Sequence, residues 1–403
     1  MRVAIIGAGA AGCFCAIELK RRMPEAEVTV FERGRRPLAK VAVTGGGRCN
    51  LTNSFRGISD LSKVYPRGAR LMERLLRHFS PEDCRRWWER EGVRLVIQED
   101  ECVFPQSQDA MEIVGTLLRL MRQLGVRLLT NAKAEQVKPQ GVGYEIIVGN
   151  EAHLYDVLVV TTGGAPRRQG LSFLDPLDLR LESPVPSLFA LNVDDKRLQS
   201  LSGTVAASVS VAFAGTRFCA EGPLLLTHFG VSGPAILRLS SYAARWLAER
   251  DYRAALLINW MEGRDEQEVG RLLDSFQRSD RLVANHHPEW LSSRLWAMLL
   301  ERANISASQR WDALNKRERN RLIATLTADT YHTDGRRTYK GEFVTAGGIS
   351  LREIDPNTLS LKRFPRLFVA GEVTDVDGVT GGFNLQAAWT MGWAVAQSIA
   401  AQN

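Results

Sequence analysis

At 403 residues, 45% hydrophobic and 24% charged, the chain has the composition of a folded protein of two or three domains, which excludes a disordered or fibrous one. Its 52 Lys and Arg against 45 Asp and Glu give +7 and a pI near 9.2, which permits an anionic partner without requiring one. Six cysteines in no C-x-x-C spacing signal neither zinc nor a redox dithiol, and no window reaches the roughly 18 apolar residues of a spanning helix, so the expectation is reduced thiols in a cytoplasmic protein with no metal and no membrane partner.

Residues 2–6, RVAII, predict a buried strand. The glycines that follow and the charged continuation IELKRR argue against a secretory leader. Gly7, Gly9 and Gly12 make G-x-G-x-x-G, a helical stretch follows, and a second strand, AEVTVFE, ends at Glu32, 20 residues after Gly12. This is the dinucleotide-binding fingerprint in its full context: a tight turn at Gly7, backbone close to a pyrophosphate at Gly9, and close helix–strand packing at Gly12. The helix N-terminus then offers unpaired N–H groups and a positive dipole end to the phosphates. Glu32 suits a ribose 2′-hydroxyl and would repel a 2′-phosphate, so the cofactor is FAD or NAD rather than NADP. Cys13 and Cys15 on this helix are small packing residues.

The next stretch, RGRRPLAKVAVTGGGRCNLTN, decides between the two. FAD is longer than the first fold unit covers, so further amides and cations must wrap it. Gly45, Gly46 and Gly47 allow close backbone approach, while Lys40 and Arg48 supply charge. LGVRLLTNAKAEQVKPQ and GYEIIV predict a short meander, and YDVLVVTTGGAP (155–166) a strand ending in Thr-Thr-Gly-Gly. Residues 186–257 alternate strand-like runs with a helix over GPAILRLSSYAARWLAER, 264–328 read as helical, and YHTDGRRTYKGEFVTAGGI returns to strand. Near the C-terminus a strand ends at Gly371-Glu372 and a helix opens around Asn384, bringing a second helix N-terminus to the cofactor. No second G-x-G-x-x-G exists, so NAD(P)H, if it is the electron donor, docks transiently.

The fingerprint, TGGGRCNLTN, CVFPQSQDA, LLLTHFGVSGPAIL, TAGGI and LFVAGEVTDVDGVTGGFNLQAAW occur in that order along the whole chain. Together they resemble the BaiN/YhiN-like (BaiN/RdsA) family of NAD(P)/FAD-dependent oxidoreductases. The resemblance implies an α/β fold. A Rossmann-type FAD-binding domain of the two-dinucleotide-binding-domain flavoprotein type would be built from 1–185 and 341–403. A β-barrel-like inserted domain would span 186–258 and 329–340, with a small helical insertion at 259–328. It lays Gly7, Gly9, Ala10, Gly12 and Glu32 on the adenosine diphosphate half of FAD. Lys40, Gly46, Gly47, Arg48, Cys49 and Asn50 fall around the pyrophosphate and flavin, and Arg33, Val137, Thr162 and Gly163 join the cofactor-binding set. Gly371, Glu372, Asp375, Gly381, Gly382, Asn384 and Leu385 fall on the ribityl chain and ring edge. Two features depart from the family pattern: Thr44 stands where Ser is usual, and GGAPRRQGLSFLDPLDL loses most of the usual serine, glycines and aromatic after Thr-Thr-Gly-Gly.

Reduction of an activated C=C bond through flavin N5 needs a proton donor beside the hydride donor. Cys49 and His228 are the candidates, each set against a packing or junction role. His332 beside DGRRTYK suits an anion or a solvated turn, and His286 and His287 suit the surface. Arg167, Arg168, Arg336, Arg337, Lys340 and the basic segment 315–321, with Tyr339 for stacking, form a candidate anionic-substrate surface. The expectation is an FAD-dependent oxidoreductase acting on a small-molecule substrate or on ribosomal RNA. For RNA, uridine would be reduced to dihydrouridine. A flavin-binding regulator without turnover is the alternative from another class.

Overall fold

Strands rich in Val and Ile without polar alternation belong in a sheet covered on both faces. The computed structural model, which describes residues 1–165, 167–337 and 344–402, builds such a sheet. It has six strands in the order Ser360–Leu361, Phe364–Val369, Val157–Val160, Arg2–Ile6, Glu27–Phe31 and Arg127–Leu129. All neighbours are parallel except the hairpin at the Ser360 edge. Ile5 lies between Val30 and Val159 in register, and all three are fully buried. The sheet brings together strands from both ends of the chain, in the first of two compact units: Met1–Pro186 with Phe343–Asn403, and Ser187–Glu342.

In the first unit the opening helix (Ala10–Arg22) and the closing helix (Phe383–Ala401) pack at Gly392, where a Cβ would stand 2.7 Å from the Ala11 carbonyl oxygen. Phe14 joins them to the helix Pro81–Arg90, with ring centroids 4.6 Å from Trp87 and 5.5 Å from Trp389. The meander forms as a three-stranded antiparallel sheet of Ala134–Gln140, Gly143–Val148 and Glu151–Tyr155.

In the second unit six antiparallel strands close a barrel in the order Ala190–Val193, Gly230–Ser232, Cys219–Thr227, Val205–Phe213, Arg253–Asn259 and Asp329–Arg337. Trp260, Trp296 and Trp311 share one hydrophobic core with Leu191 and Val211, so the helices between the last two strands pack into the barrel's own core. Buried Asp329 ties them by accepting from Trp260 Nε1 (3.0 Å), Tyr331 Oη (2.7 Å) and Arg302 Nε (2.8 Å). The single helix expected over 233–250 breaks at Ala243 into Pro234–Tyr242 and Ala244–Ala248. No glycine or proline marks the break; Ala243 and Ala244 are both fully buried, and packing overrides propensity there. Among the described residues no helix is long and apolar enough to cross a membrane, and no cluster of three metal-ligating side chains occurs.

Candidate functional site

The opening strand ends in a turn that only glycine permits. At Gly7 φ is 109°, and a Cβ would stand 2.5 Å from Thr161 O; at Gly12 it would stand 2.0 Å from Gly7 O. Gly9 is different. It has open space around it and begins the opening helix with no side-chain cap and no acid in the first turn. The amides there are left for a ligand. Ala10 starts that helix, and Glu32 stands beside it, accepting from Ala8 N (3.1 Å) and Gly34 N (2.7 Å). These bonds fix the carboxylate at the end of the second strand. Arg33 beside it is exposed.

The stretch Thr44–Gly47 forms one helical turn whose Gly45 and Gly46 lie in the left-handed region (φ 57° and 69°). Gly46 and Gly47 face open space. The loop leaves the Cβ side of Gly46 and Gly47 open and turns its thiol inward. Cys49, also left-handed at φ 62°, is fully buried and donates its N–H to Thr44 O (3.0 Å). Burial raises its thiol from 9.0 to about 12. Of the two roles expected for Cys49, proton donor or packing residue, its full burial favours packing. Arg48 is held by Nε donating to Gly45 O (3.2 Å) and by the Phe104 ring, 4.4 Å from its guanidinium carbon.

The C-terminal block reaches the same loop. Asn50, with its amide oriented to satisfy both atoms, accepts from Gly382 N (3.2 Å) and donates to Thr52 O (3.0 Å). A Cβ at Gly382 would stand 2.3 Å from Thr52 O. Asn53 Nδ2 donates to Gly381 O (3.2 Å) and Trp389 Nε1 to Leu51 O (3.0 Å). Gly382 begins the closing helix without a side-chain cap and without an acid in its first turn. Asn384 exchanges two 2.8 Å hydrogen bonds with the Gly378 backbone, and Leu385 is half-buried beside it. Glu372 pairs with Lys40 (3.3 Å) and accepts from Thr345 N (2.7 Å). Gly163 lies against that carboxylate, its Cβ position 4.0 Å from Glu372 Oε2, and Gly371 lies against Ala11. Asp375 is buried, and its N–H donates to Ile349 O (3.0 Å).

One atom points to a missing group: Thr162 Oγ1 is buried with no hydrogen-bond partner among the described residues, a costly state unless a ligand supplies the partner. Two helix starts without a side-chain cap, open space beside Gly46 and Gly47 and that orphaned hydroxyl fit the two phosphates and polar chain of FAD. Val137 is enclosed, paired with Ile146 on the meander, so its side chain offers no free surface.

Every expected cofactor-binding residue lies in this unit, whereas the candidate proton donor His228 does not. That residue is exposed in the turn between Cys219–Thr227 and Gly230–Ser232, in the barrel unit. Arg167, Arg168 and Arg337 are exposed, whereas Tyr339 and Lys340 lie outside the described residues. His332 is exposed on the strand Asp329–Arg337. His287 is held by Pro288 O (3.0 Å), and the backbone oxygen of His286 accepts from Trp311 Nε1 (2.8 Å). Sequence reasoning missed Phe104, Thr345 and Thr52. Only the quoted blocks CVFPQSQDA, TAGGI and TGGGRCNLTN signal them, because their partners are more than 25 residues away in the chain.

A family model described as HI0933-like protein Rossmann domain matches residues 1–398. The ribosomal RNA dihydrouridine synthase of Escherichia coli (strain K12) is 31% identical, over 98% of this chain and 97% of that protein. The 3-dehydro-bile acid delta(4,6)-reductase of Clostridium scindens is 25% identical over 99% of each. Among solved structures, the 3-ketosteroid delta1-dehydrogenase of Sterolibacterium denitrificans aligns with a TM-score of 0.52 at 11% identity. That alignment covers 100% of this chain and 99% of that one, a likeness of fold.

Proposed function

The chain belongs to the HI0933-like Rossmann-domain family and is an FAD-dependent oxidoreductase, and from that premise we propose that it reduces the C5=C6 bond of a uridine in ribosomal RNA. The observation that carries this reading is the 31% identity to a ribosomal RNA dihydrouridine synthase, sustained across 98% of this chain. The C5=C6 bond is conjugated with the C4 carbonyl, so one carbon takes a hydride and the other a proton. The balanced change is uridine plus NAD(P)H plus H⁺ giving dihydrouridine plus NAD(P)⁺.

FAD, when bound, supplies the hydride carrier that no side chain can provide. The chain's residues do the remaining work. The bare amides at Gly9 and Ala10 hold the diphosphate, and Glu32 holds the ribose. Lys40 and Arg48 add positive charge, and the uncapped start of the closing helix offers a dipole end that favours negative charge. Thr162 Oγ1 finds its partner on the cofactor. Cys49 packs beneath the loop and keeps its proton.

The 25% relative named for a bile acid supports a second reading on a steroid-like enone, since the polarised C=C is common to both. The deciding experiment incubates the FAD-loaded protein anaerobically with NADH or NADPH and ribosomal RNA lacking dihydrouridine, followed by nucleoside mass spectrometry. Dihydrouridine at one position is the expected product. An unchanged nucleoside profile, with flavin reoxidised by a conjugated steroid ketone instead, would move the assignment to small molecules. Failure of both NADH and NADPH to bleach the flavin would remove NAD(P)H as donor.

A further inference from the structure

We infer that His228, Phe229 and Arg337 form an oxyanion-binding site on the barrel that grips a phosphate of the polynucleotide substrate; the site stands on its own geometry, and only the source of the phosphate rests on the RNA reading. The strand Ala190–Val193 lies between the two strands that supply these residues. Asn192 faces Gly230 on one side, and Ala190 faces Arg337 on the other. The turn carrying His228 and Phe229 is fixed: Val193 N donates to Phe229 O (3.0 Å) and Thr227 Oγ1 to Gly230 O (3.0 Å). Gly230 has φ 143°, and a Cβ there would stand 2.4 Å from Leu191 O, so the turn has little room to shift.

On the other side, the strand Asp329–Arg337 buries Asp329, Tyr331 and Thr333 and exposes the residues between them. Its register slips opposite Leu191–Val193. Beyond the slip Arg336 lies over the Tyr252 ring (4.9 Å) and Arg337 over the Phe229 ring (5.2 Å). His228 meets that same Phe229 ring edge-on, at 5.0 Å and 86°. An exposed guanidinium and an exposed imidazole thus converge on one aromatic ring.

Arg337 makes no ion pair among the described residues, and Asp334, the acid nearest on its strand, is engaged by Arg253 (3.1 Å). A purely structural arginine would carry a carboxylate partner or bury its stem. A guanidinium laid on an aromatic face keeps its N–H fork in a fixed plane, which matches the two oxygens of a phosphate. The imidazole against the same Phe229 ring is the second donor assigned to the phosphate.

The test uses the flavin-loaded protein labelled with ¹⁵N-histidine and inorganic phosphate as the probe. Phosphate should shift the His228 imidazole signals, identified by their absence in His228→Asn. The shift should be lost in Arg337→Ala and partly kept in Arg337→Lys. Arg337 is exposed, so Arg337→Ala should match the wild type in flavin content and melting temperature. Unmoved His228 signals in the wild type, or an equal shift in Arg337→Ala, overturn the site. Binding of ribosomal RNA at several salt concentrations then separates the two readings. Arg337→Ala should bind about tenfold more weakly, and its slope of log K against log salt should fall by about 0.7 to 0.9, the loss of one phosphate contact. If phosphate moves His228 but the slope is unchanged, the site takes a small anion and not an RNA phosphate, and the uridine reading is judged by the nucleoside profile alone.

Discussion

Helix starts in this protein come in two kinds. Pro81–Arg90, Glu266–Gln277 and Lys316–Ala328 each begin with a reciprocal capping box, Ser80 with Asp83, Asp265 with Glu268 and Asn315 with Glu318. The opening and closing helices begin instead on Gly9 and Gly382, with no side-chain cap and no acid in the first turn. A cap satisfies the free amides and so uses them up. Glycine at a helix start also has a packing cause at three places: a Cβ at Gly382 would stand 2.3 Å from Thr52 O, one at Gly68 2.6 Å from Val376, and one at Gly233 2.9 Å from Leu225 N. No such cause exists at Gly9, where nothing lies within 4 Å. The stability that a cap would add has been left out at the place where a diphosphate is expected, so the absence of a residue is the functional signal.

The comparison breaks most visibly by capping the bare start. Gly9→Asp fits the open space and the φ of −88°. It should leave the apoprotein as stable or a few tenths of a kcal/mol more so, because aspartate caps well. It should weaken FAD binding by about a hundredfold or more, because the carboxylate meets the phosphates at close range. Flavin absorbance per chain after gel filtration, read beside the apoprotein melting temperature, gives both numbers. Retained flavin would place the diphosphate elsewhere. Glu32→Ala comes next: it removes the acceptor of the Ala8 and Gly34 amides and the ribose contact, and should weaken FAD about tenfold, the low end for one charge-assisted hydrogen bond at about 1.5 kcal/mol. Full occupancy after exhaustive dialysis would leave Glu32 only its loop-fixing role. Asp265→Ala tests the capped class, costing about 1 kcal/mol of stability with no change in flavin content.

How much of this was legible in the sequence follows from the range of each interaction. The fingerprint and its acid were readable because Gly7, Gly9, Gly12 and Glu32 act through local turns at fixed spacing. The closing helix was placed to within one residue by the glycines before Asn384. Residues whose role depends on a distant partner were not readable: Phe104 under Arg48, Thr345 against Glu372, and Thr52 against Gln386 (2.5 Å). Neither was the merging of barrel and helices into one core, since periodicity marks an apolar face but not what covers it. The direction of the Cys49 side chain was hidden for a related reason. A left-handed residue after three glycines with positive φ can point either way until the loop is seen.

Cys49 therefore carries the smallest expected effect and the sharpest test of that loop. Cys13, Cys15, Cys49, Cys84 and Cys102 are buried and Cys219 is exposed, so a thiol reagent should modify one cysteine per native chain. The folded state holds the Cys49 proton up to about pH 12, against 9.0 for a free thiol. Its contribution to stability is therefore complete below pH 9 and is lost as pH rises toward 12, because the unfolded chain gives up that proton first. On the packing role that its burial favours, the Cys49 thiol delivers no proton to substrate. Cys49→Ser should accordingly keep its flavin and reoxidise it with substrate at the wild-type rate. A fall of tenfold or more in that rate, with flavin content intact, would show that the loop opens during catalysis and that the glycine run serves motion as well as close approach.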